Sequence, residues 1–117
     1  MQPIIYGIPN CDSVRKAKTW LNNQQIDYCF VDVRKTPPTK DQLACWLAAI
    51  GAKLLVNKRS TTWKNLSADE RYEAEQGDTL AVLLDNPTLI KRPVLEHRGT
   101  TTVGFNADTY SERFNSQ

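Results

Sequence analysis

One cysteine of the chain stands where a thiol could act as a nucleophile. Cys11 follows the strand-like segment Ile4–Tyr6 and the turn Gly7–Asn10, and it directly precedes a helix predicted from about Asp12 to Asn23. The N–H groups at a helix start and the helix dipole favour negative charge, so they stabilise a thiolate over a thiol. Reactive cysteines of reductases occupy this kind of position. The alternative is that Cys11 is a small buried apolar residue.

Two arginines are the next candidates, because a guanidinium forms paired hydrogen bonds with carboxylates and other oxyanions. Arg59 lies in the polar segment Asn57–Thr62, which we predict to be a loop, and Arg92 precedes Pro93 at the start of a predicted strand. Each arginine taken alone is typical of a solvated surface. Chain order makes both arginines stronger candidates for a binding site, because loops after the first strand and before the third can meet above one end of a sheet. A proline at a strand entry marks an edge, a bulge or a cis bond.

The other two cysteines carry no comparable signal. Cys29 falls in a predicted strand and Cys45 in a predicted helix, so we expect structural roles for both. The three cysteines form no CxxC pair, and their odd number argues against a disulfide framework. Together with His97 they do not supply the closely paired ligands of a structural zinc site, so we expect no metal.

The elements that must position these residues have the order β-α-β, a helical segment, and β-β-α. The first strand, the first helix and a second strand over Asp27–Val33 form a βαβ unit with parallel strands. Thr39 begins the next helix with Gln42 in a capping box, and Gly51 ends it. The later predicted elements are a helix from near Ser67, a helix over Thr79–Leu84, strands over Arg92–Leu95 and Thr100–Val103, and a helix over Asn106–Phe114. The short turn Arg98-Gly99 makes the last two strands antiparallel.

Composition limits the classes of function. With 117 residues, of which 40% are hydrophobic and 24% charged, the chain is expected to be a single soluble domain over residues 1–117. No apolar run approaches the ~18 residues of a membrane span. No signal-like segment precedes the first strand, which predicts a cytoplasmic protein. The net charge of +2, with dispersed Lys and Arg, argues against nucleic acid as a partner.

Four segments resemble the arsenate reductase (ArsC) family, and together they cover nearly the whole chain. Gly7–Ala17, followed by Trp20-Leu21, is similar to the family's active-site opening. Asn57–Trp63 and Ile90–Leu95 are similar to its second and third signatures, and Val103–Asn106 resembles a segment near its C-terminus. Within the family, the resemblance is greatest to the branch of small YffB-like and Spx-like proteins, and to the YffB-like ones most of all.

The resemblance implies a thioredoxin-like α/β fold with a helical insertion at about residues 37–88. It also implies that Cys11 is the nucleophile and that Arg59 and Arg92 lie near the bound substrate. In that fold the proline that opens the third strand is cis, so the Arg92–Pro93 bond is expected to be cis as well.

The chain departs from the family pattern at three positions. Arsenate reductases of this kind carry a His four residues before the Cys, where this chain has Gly7, and a third Arg near the position of Gly104. An arsenate anion would therefore lose one cation and one aid to thiolate formation. Spx-type regulators carry a CxxC switch, and here its second position is Val14, so an internal disulfide within the motif is impossible.

These features predict a monothiol thiol-disulfide reductase, in which Cys11 attacks an oxidised group and forms a mixed disulfide. Release then needs an external thiol, and the abundant cytosolic one is glutathione, as a co-substrate rather than a bound cofactor. Arg59 and Arg92 would hold its carboxylates or the substrate anion, Asn10 and the first helical N–H groups would stabilise the sulfur, and the backbone beside Pro93 would pair with the substrate.

Two other functions stay open. One is an Spx-like module that docks on a protein partner without turnover, with Trp46, Trp63 or Tyr72 as anchors if they are exposed. The other is a weak arsenate reductase. Catalysed turnover with glutathione would favour the enzyme, whereas a partner whose capture is unaffected by Cys11→Ser would favour the module.

Overall fold

The structure, a computed structural model, describes residues 2–115. The chain forms two units, of which one consists of the segments before Val33 and after Lys91 and the other of Val33–Lys91. The first unit contains Cys11, Arg92 and Pro93, and the second contains Arg59. The description as a single domain with an insertion at about residues 37–88 stays a prediction.

The first unit is built on a sheet of four strands in the order β2-β1-β3-β4. Its elements are β1 (Ile4–Gly7), α1 (Asp12–Asn23), β2 (Cys29–Asp32), β3 (Val94–His97), β4 (Thr100–Val103) and α7 (Ala107–Asn115). β1 runs parallel to β2, and β3 runs antiparallel to both β1 and β4. This βαβ unit followed by a ββα unit is the thioredoxin-like arrangement, so the predicted fold class and both predicted strand pairings are confirmed.

A hydrophobic core holds α1 and α7 against the sheet. The residues at its centre are fully or almost fully buried, and they are Ile5, Ala17, Leu21, Leu95 and Tyr110. The stripe of α1 that faces this core recurs every three or four residues, and α1 has the bounds that this spacing predicts. Burial of a leucine such as Leu21 stabilises the fold by roughly 1.5–3 kcal/mol.

A tight hairpin joins β3 to the edge strand β4. Arg98 and Gly99 have φ angles of 54° and 77°, and positive φ at both central residues is typical of a two-residue hairpin turn. Arg113 of α7 fastens the hairpin, because its guanidinium donates to the Thr102 hydroxyl at 2.8 Å and to the His97 carbonyl at 3.1 Å. The predicted turn and the last helix are therefore confirmed.

The second unit is helical. Its elements are α2 (Lys40–Ile50), α3 (Ala52–Leu55), α4 (Thr61–Asn65), α5 (Ala68–Gln76), α6 (Thr79–Asp85) and a 3₁₀ turn over Pro87–Leu89. α2 begins at the predicted capping box, in which the Thr39 hydroxyl accepts from the Gln42 N–H and the Gln42 side chain accepts from the Thr39 N–H. A second capping box, between Ser67 and Glu70, begins α5.

Some predicted boundaries were wrong. Residues 57–62 were predicted to be a loop, yet α4 begins at Thr61, because the Ser60 hydroxyl accepts a hydrogen bond from the Trp63 N–H at 3.0 Å. The second strand is shorter than predicted and begins at Cys29. The third begins at Val94, so Arg92 and Pro93 lie before it.

Candidate active site

Cys11 is the N-cap residue of α1. Its backbone is extended, with φ −104° and ψ 127°, and its carbonyl accepts the first helical hydrogen bond from the Arg15 N–H at 2.9 Å. The side chain is half-buried and forms no capping hydrogen bond, so the predicted contact between the sulfur and a helical N–H is not formed. The thiol still lies at the positive end of the α1 dipole. Asn10 is exposed in the turn just before it.

The core of the first unit fixes the direction of α1 and with it the position of Cys11. Val14, one turn into the helix, is completely buried. Further along, the Trp20 ring packs edge-on against Tyr110 with 5.7 Å between the ring centroids. α1 therefore carries the thiol on a packed element and not on a flexible loop.

Strand register places Arg92 and Pro93 at the same end of the sheet as the segment that leads to Cys11. Tyr6 of β1 pairs with Val94 of the antiparallel β3, so the end of β1 lies beside the start of β3. The Arg92–Pro93 peptide bond is cis, which confirms the prediction. Arg92 is half-buried, Pro93 is buried, and the Pro93 carbonyl accepts from the Gly104 N–H at 2.9 Å.

Arg59 lies in the second unit, two residues before α4. Its N–H donates to the Asn57 side-chain oxygen at 3.1 Å, and the Ser60 N–H donates to the Asn57 carbonyl at 3.2 Å. The Arg59 side chain is exposed, and within residues 2–115 its guanidinium forms no hydrogen bond or ion pair. The backbone is thus held while the guanidinium is available to an external anion. That Arg59 lies beside Cys11 stays a prediction.

Cys29 and Cys45 are both exposed, so neither fills the buried packing role expected of a structural cysteine. Cys29 begins the edge strand β2, and Cys45 faces away from the buried side of α2. Among the described residues none of the three cysteines forms a disulfide. By exposure Cys29 and Cys45 are therefore the more accessible thiols, whereas of the three cysteines Cys11 is the one at a helix start.

The three aromatic residues considered as anchors differ in exposure. Trp46 is completely buried and belongs to the core of the second unit. Trp63 is half-buried, and Tyr72 keeps 63% of its surface exposed. Of the three, Tyr72 is thus the one available to a partner.

An open cleft of about 470 Å³ runs along α1 from the residue next to Cys11. Trp20 and Phe105 form its apolar wall, and the Arg15 side chain, which pairs with Asp12, lies on its rim. Such a cleft can hold an apolar group next to the Arg15–Asp12 ion pair.

Within residues 2–115, no three His, Cys, Asp or Glu side chains cluster so that they could hold a metal ion. Across the same residues, no helix combines the length and the apolar character needed to cross a membrane.

This chain is similar to a protein family, to an uncharacterised protein and to a regulatory protein. The sequence profile of the ArsC family matches residues 6–113. An uncharacterised protein of Haemophilus influenzae is 40% identical over 94% of this chain and 96% of its own. The Bacillus subtilis regulatory protein MgsR is 31% identical over 90% of this chain and 84% of its own.

A solved structure agrees with the fold. The structure of a protein named YffB superimposes with a TM-score of 0.88, at 34% identity, over 94% of this chain and 96% of the YffB chain. The similarity therefore extends through both units and not over the Cys11 motif alone.

Proposed function

Because this chain belongs to the ArsC family, we propose that it is a monothiol, glutathione-dependent thiol-disulfide reductase. The observation that carries the proposal is the position of Cys11 at the start of α1, with the buried Val14 where a second motif cysteine would lie. A thiol at a helix start is suited to nucleophilic attack. A motif without a resolving thiol leaves the adduct to an external one.

The proposed reaction has two exchange steps. The Cys11 thiolate attacks one sulfur of a disulfide RS–SR′, forms a bond to the RS group, and expels R′S⁻, which takes a proton from water. A glutathione thiolate then attacks the RS sulfur, forms GS–SR, and returns Cys11 as the thiolate. These two steps release one substrate sulfur as the thiol R′SH and leave the other in GS–SR. In solution a second glutathione thiolate then attacks the glutathione sulfur of GS–SR, forms GSSG and expels RS⁻, which takes a proton, so that two glutathione molecules supply the two electrons that reduce the substrate disulfide.

Arg59 and Arg92 are proposed to bind the carboxylates of glutathione. Arg92 is supported by its position at the same sheet end as the Cys11 segment, and Arg59 by its exposed guanidinium. We further assign to Asn10 a role in stabilising the sulfur, and to the backbone beside Pro93 a contact with the substrate. The cleft along α1 offers room for the apolar part of the oxidised substrate.

A coupled assay tests the proposal directly. The chain is incubated with a small disulfide, reduced glutathione, glutathione reductase and NADPH, and consumption of NADPH is followed. We expect turnover that Cys11→Ser abolishes and that Cys45→Ser and Cys29→Ser, the matched exposed thiols, leave unchanged. Turnover that survives Cys11→Ser, or no turnover at all, contradicts the proposal. We further propose a cytosolic location, because glutathione is abundant there.

The second candidate function is a protein-binding module without turnover. The similarity to the regulatory protein MgsR and the exposed Tyr72 side chain support it. Capture of one defined partner that Cys11→Ser leaves intact and Tyr72→Ala abolishes would favour the module over the enzyme.

A further inference from the structure

One side chain of α5 holds the helix that follows Arg59. Arg71 donates from Nε to the Trp63 carbonyl at 3.2 Å and from Nη2 to the Lys64 carbonyl at 3.0 Å. Both carbonyls belong to the last turn of α4, where the Trp63 carbonyl also accepts from the Leu66 N–H at 3.1 Å. The guanidinium carbon also lies 5.5 Å from the centroid of the Trp63 ring.

A second side chain, that of Glu75 one turn further along α5, contacts Lys58 on the N-terminal side of Arg59. Glu75 Oε2 lies 2.6 Å from Lys58 Nζ, and Lys58 directly precedes Arg59. Residues four apart share one face of a helix. Arg71 and Glu75 therefore contact the segment Lys58–Lys64 from the same face of α5.

We propose that Arg71 is the positioning residue of Arg59, with Glu75 as a weaker second support. The inference rests on the proposed function, in which Arg59 binds a glutathione carboxylate. Between Lys58 and Ser60, the N-cap residue of α4, only Arg59 remains, and the Asn57 side chain fixes the Arg59 N–H. The backbone of Arg59 is held by neighbours on both sides, and its guanidinium is left exposed.

The two supports differ in strength. Arg71 is half-buried and makes two charge-assisted hydrogen bonds, which are stronger than neutral ones. The side chains of Lys58 and Glu75 are 49% and 35% exposed, and ion pairs at that exposure contribute little. Loss of Arg71 should therefore loosen the segment far more than loss of Glu75.

The first measurement is backbone ¹⁵N relaxation of residues 57–60 without any ligand. Arg71→Gln is expected to make these amides mobile, Arg71→Lys to restore part of their order, and Glu75→Gln to change them little. Amide shifts of α2 report whether each variant is folded. An ordered segment in folded Arg71→Gln overturns the proposal.

The second measurement is a double-mutant cycle on the affinity for S-methylglutathione, an unreactive analogue of glutathione. If only a fifth of the molecules keep a competent segment, the Kd of Arg71→Gln rises about fivefold. The double variant Arg59→Gln/Arg71→Gln is expected to bind no worse than Arg59→Gln. Arg98→Gln, on an exposed turn of the other unit, is the matched control.

The outcomes separate the two proposals. Additive losses in the double variant mean that Arg71 does not act through Arg59 and overturn the inference. If Arg59→Gln leaves the affinity unchanged, Arg59 does not bind glutathione and that part of the proposed function fails. The relaxation data then still decide whether Arg71 orders the segment.

Discussion

Gly7 and Val14 are packed so tightly that the strand has no room for a side chain at position 7. A Cβ atom on Gly7 would lie 2.5 Å from Cγ2 of Val14, closer than carbon atoms approach without a shift. Val14 is itself completely buried. The lack of a side chain at position 7 is thus matched to the valine at position 14.

The first prediction concerns this coupling. Gly7→Ala is expected to lower the free energy of unfolding by about 1–3 kcal/mol, because the added methyl overpacks the site. In a Val14→Ala background the same change should cost at least about 1 kcal/mol less, since contacting residues are not additive. Urea denaturation of the four proteins of the cycle measures both effects. Additive costs would show that Val14 does not set the space at position 7.

The second prediction concerns the missing resolving thiol. In a Cys29→Ser/Cys45→Ser background, Val14→Cys should convert the monothiol motif into a CxxC pair that closes internally under oxidised glutathione. Intact mass is then expected to show the loss of two hydrogens in place of a lasting adduct. Val14→Ala in the same background is the control and should keep the adduct. An adduct that persists in Val14→Cys would contradict the assigned role of Val14.

The third prediction is that arsenate is a poor substrate. Gly7 leaves no space for a His, and Gly104, where the related reductases place an Arg, has a φ of 79° that side chains rarely adopt. One lost charge-assisted hydrogen bond corresponds to about ten- to a hundredfold in rate. Arsenate reduction with glutathione and glutaredoxin should be slower by that factor than for an authentic arsenate reductase assayed alongside. Equal rates would mean that the anion site lies elsewhere.

The fourth prediction concerns pH and stability. Burial, followed by the nearby Arg98 and Arg113 guanidinium groups, lowers the pKa of His97 below its ordinary value. The unfolded chain therefore takes up the proton first as the pH falls, and stability is lost from about pH 6.5 downward. His97→Gln should flatten the dependence of the free energy of unfolding on pH between about 6.5 and 5. Because the chain has a single His, an unchanged slope in this variant would contradict the assignment.

The parts of the fold that were predicted correctly depend on local chemistry. Thr39 and Gln42 form their capping box with each other, and Arg98-Gly99 turns the hairpin with its own backbone. The helix α4 was missed because it is only 5 residues long and has no buried stripe, although Ser60 is a typical N-cap residue. It is stabilised in part by Arg71 of α5, which donates to the Trp63 carbonyl.

In the candidate site, too, the features that depend on neighbouring residues were predicted and those that depend on contacts between elements were not. The strand, turn and helix around Cys11 could be read from neighbouring residues. Chain order indicated only that loops at one sheet end can meet, and the pairing of Tyr6 with Val94 is known from the structure. Sequence reasoning did not find Arg71, because its function depends on how α5 packs against α4. The Arg71–Glu75 spacing on a helix was the available signal, and it is common on solvated helices.

The central claim is that Cys11 is the nucleophile that exchanges with glutathione. The most direct measurement is peptide mapping by mass spectrometry after brief incubation of the native chain with oxidised glutathione near neutral pH. Because Cys29 and Cys45 are more exposed than Cys11, exposure alone predicts that they react first. We predict that one glutathionyl group forms on Cys11 before any forms on Cys29 or Cys45. An adduct formed mainly on Cys29 or Cys45 would contradict it.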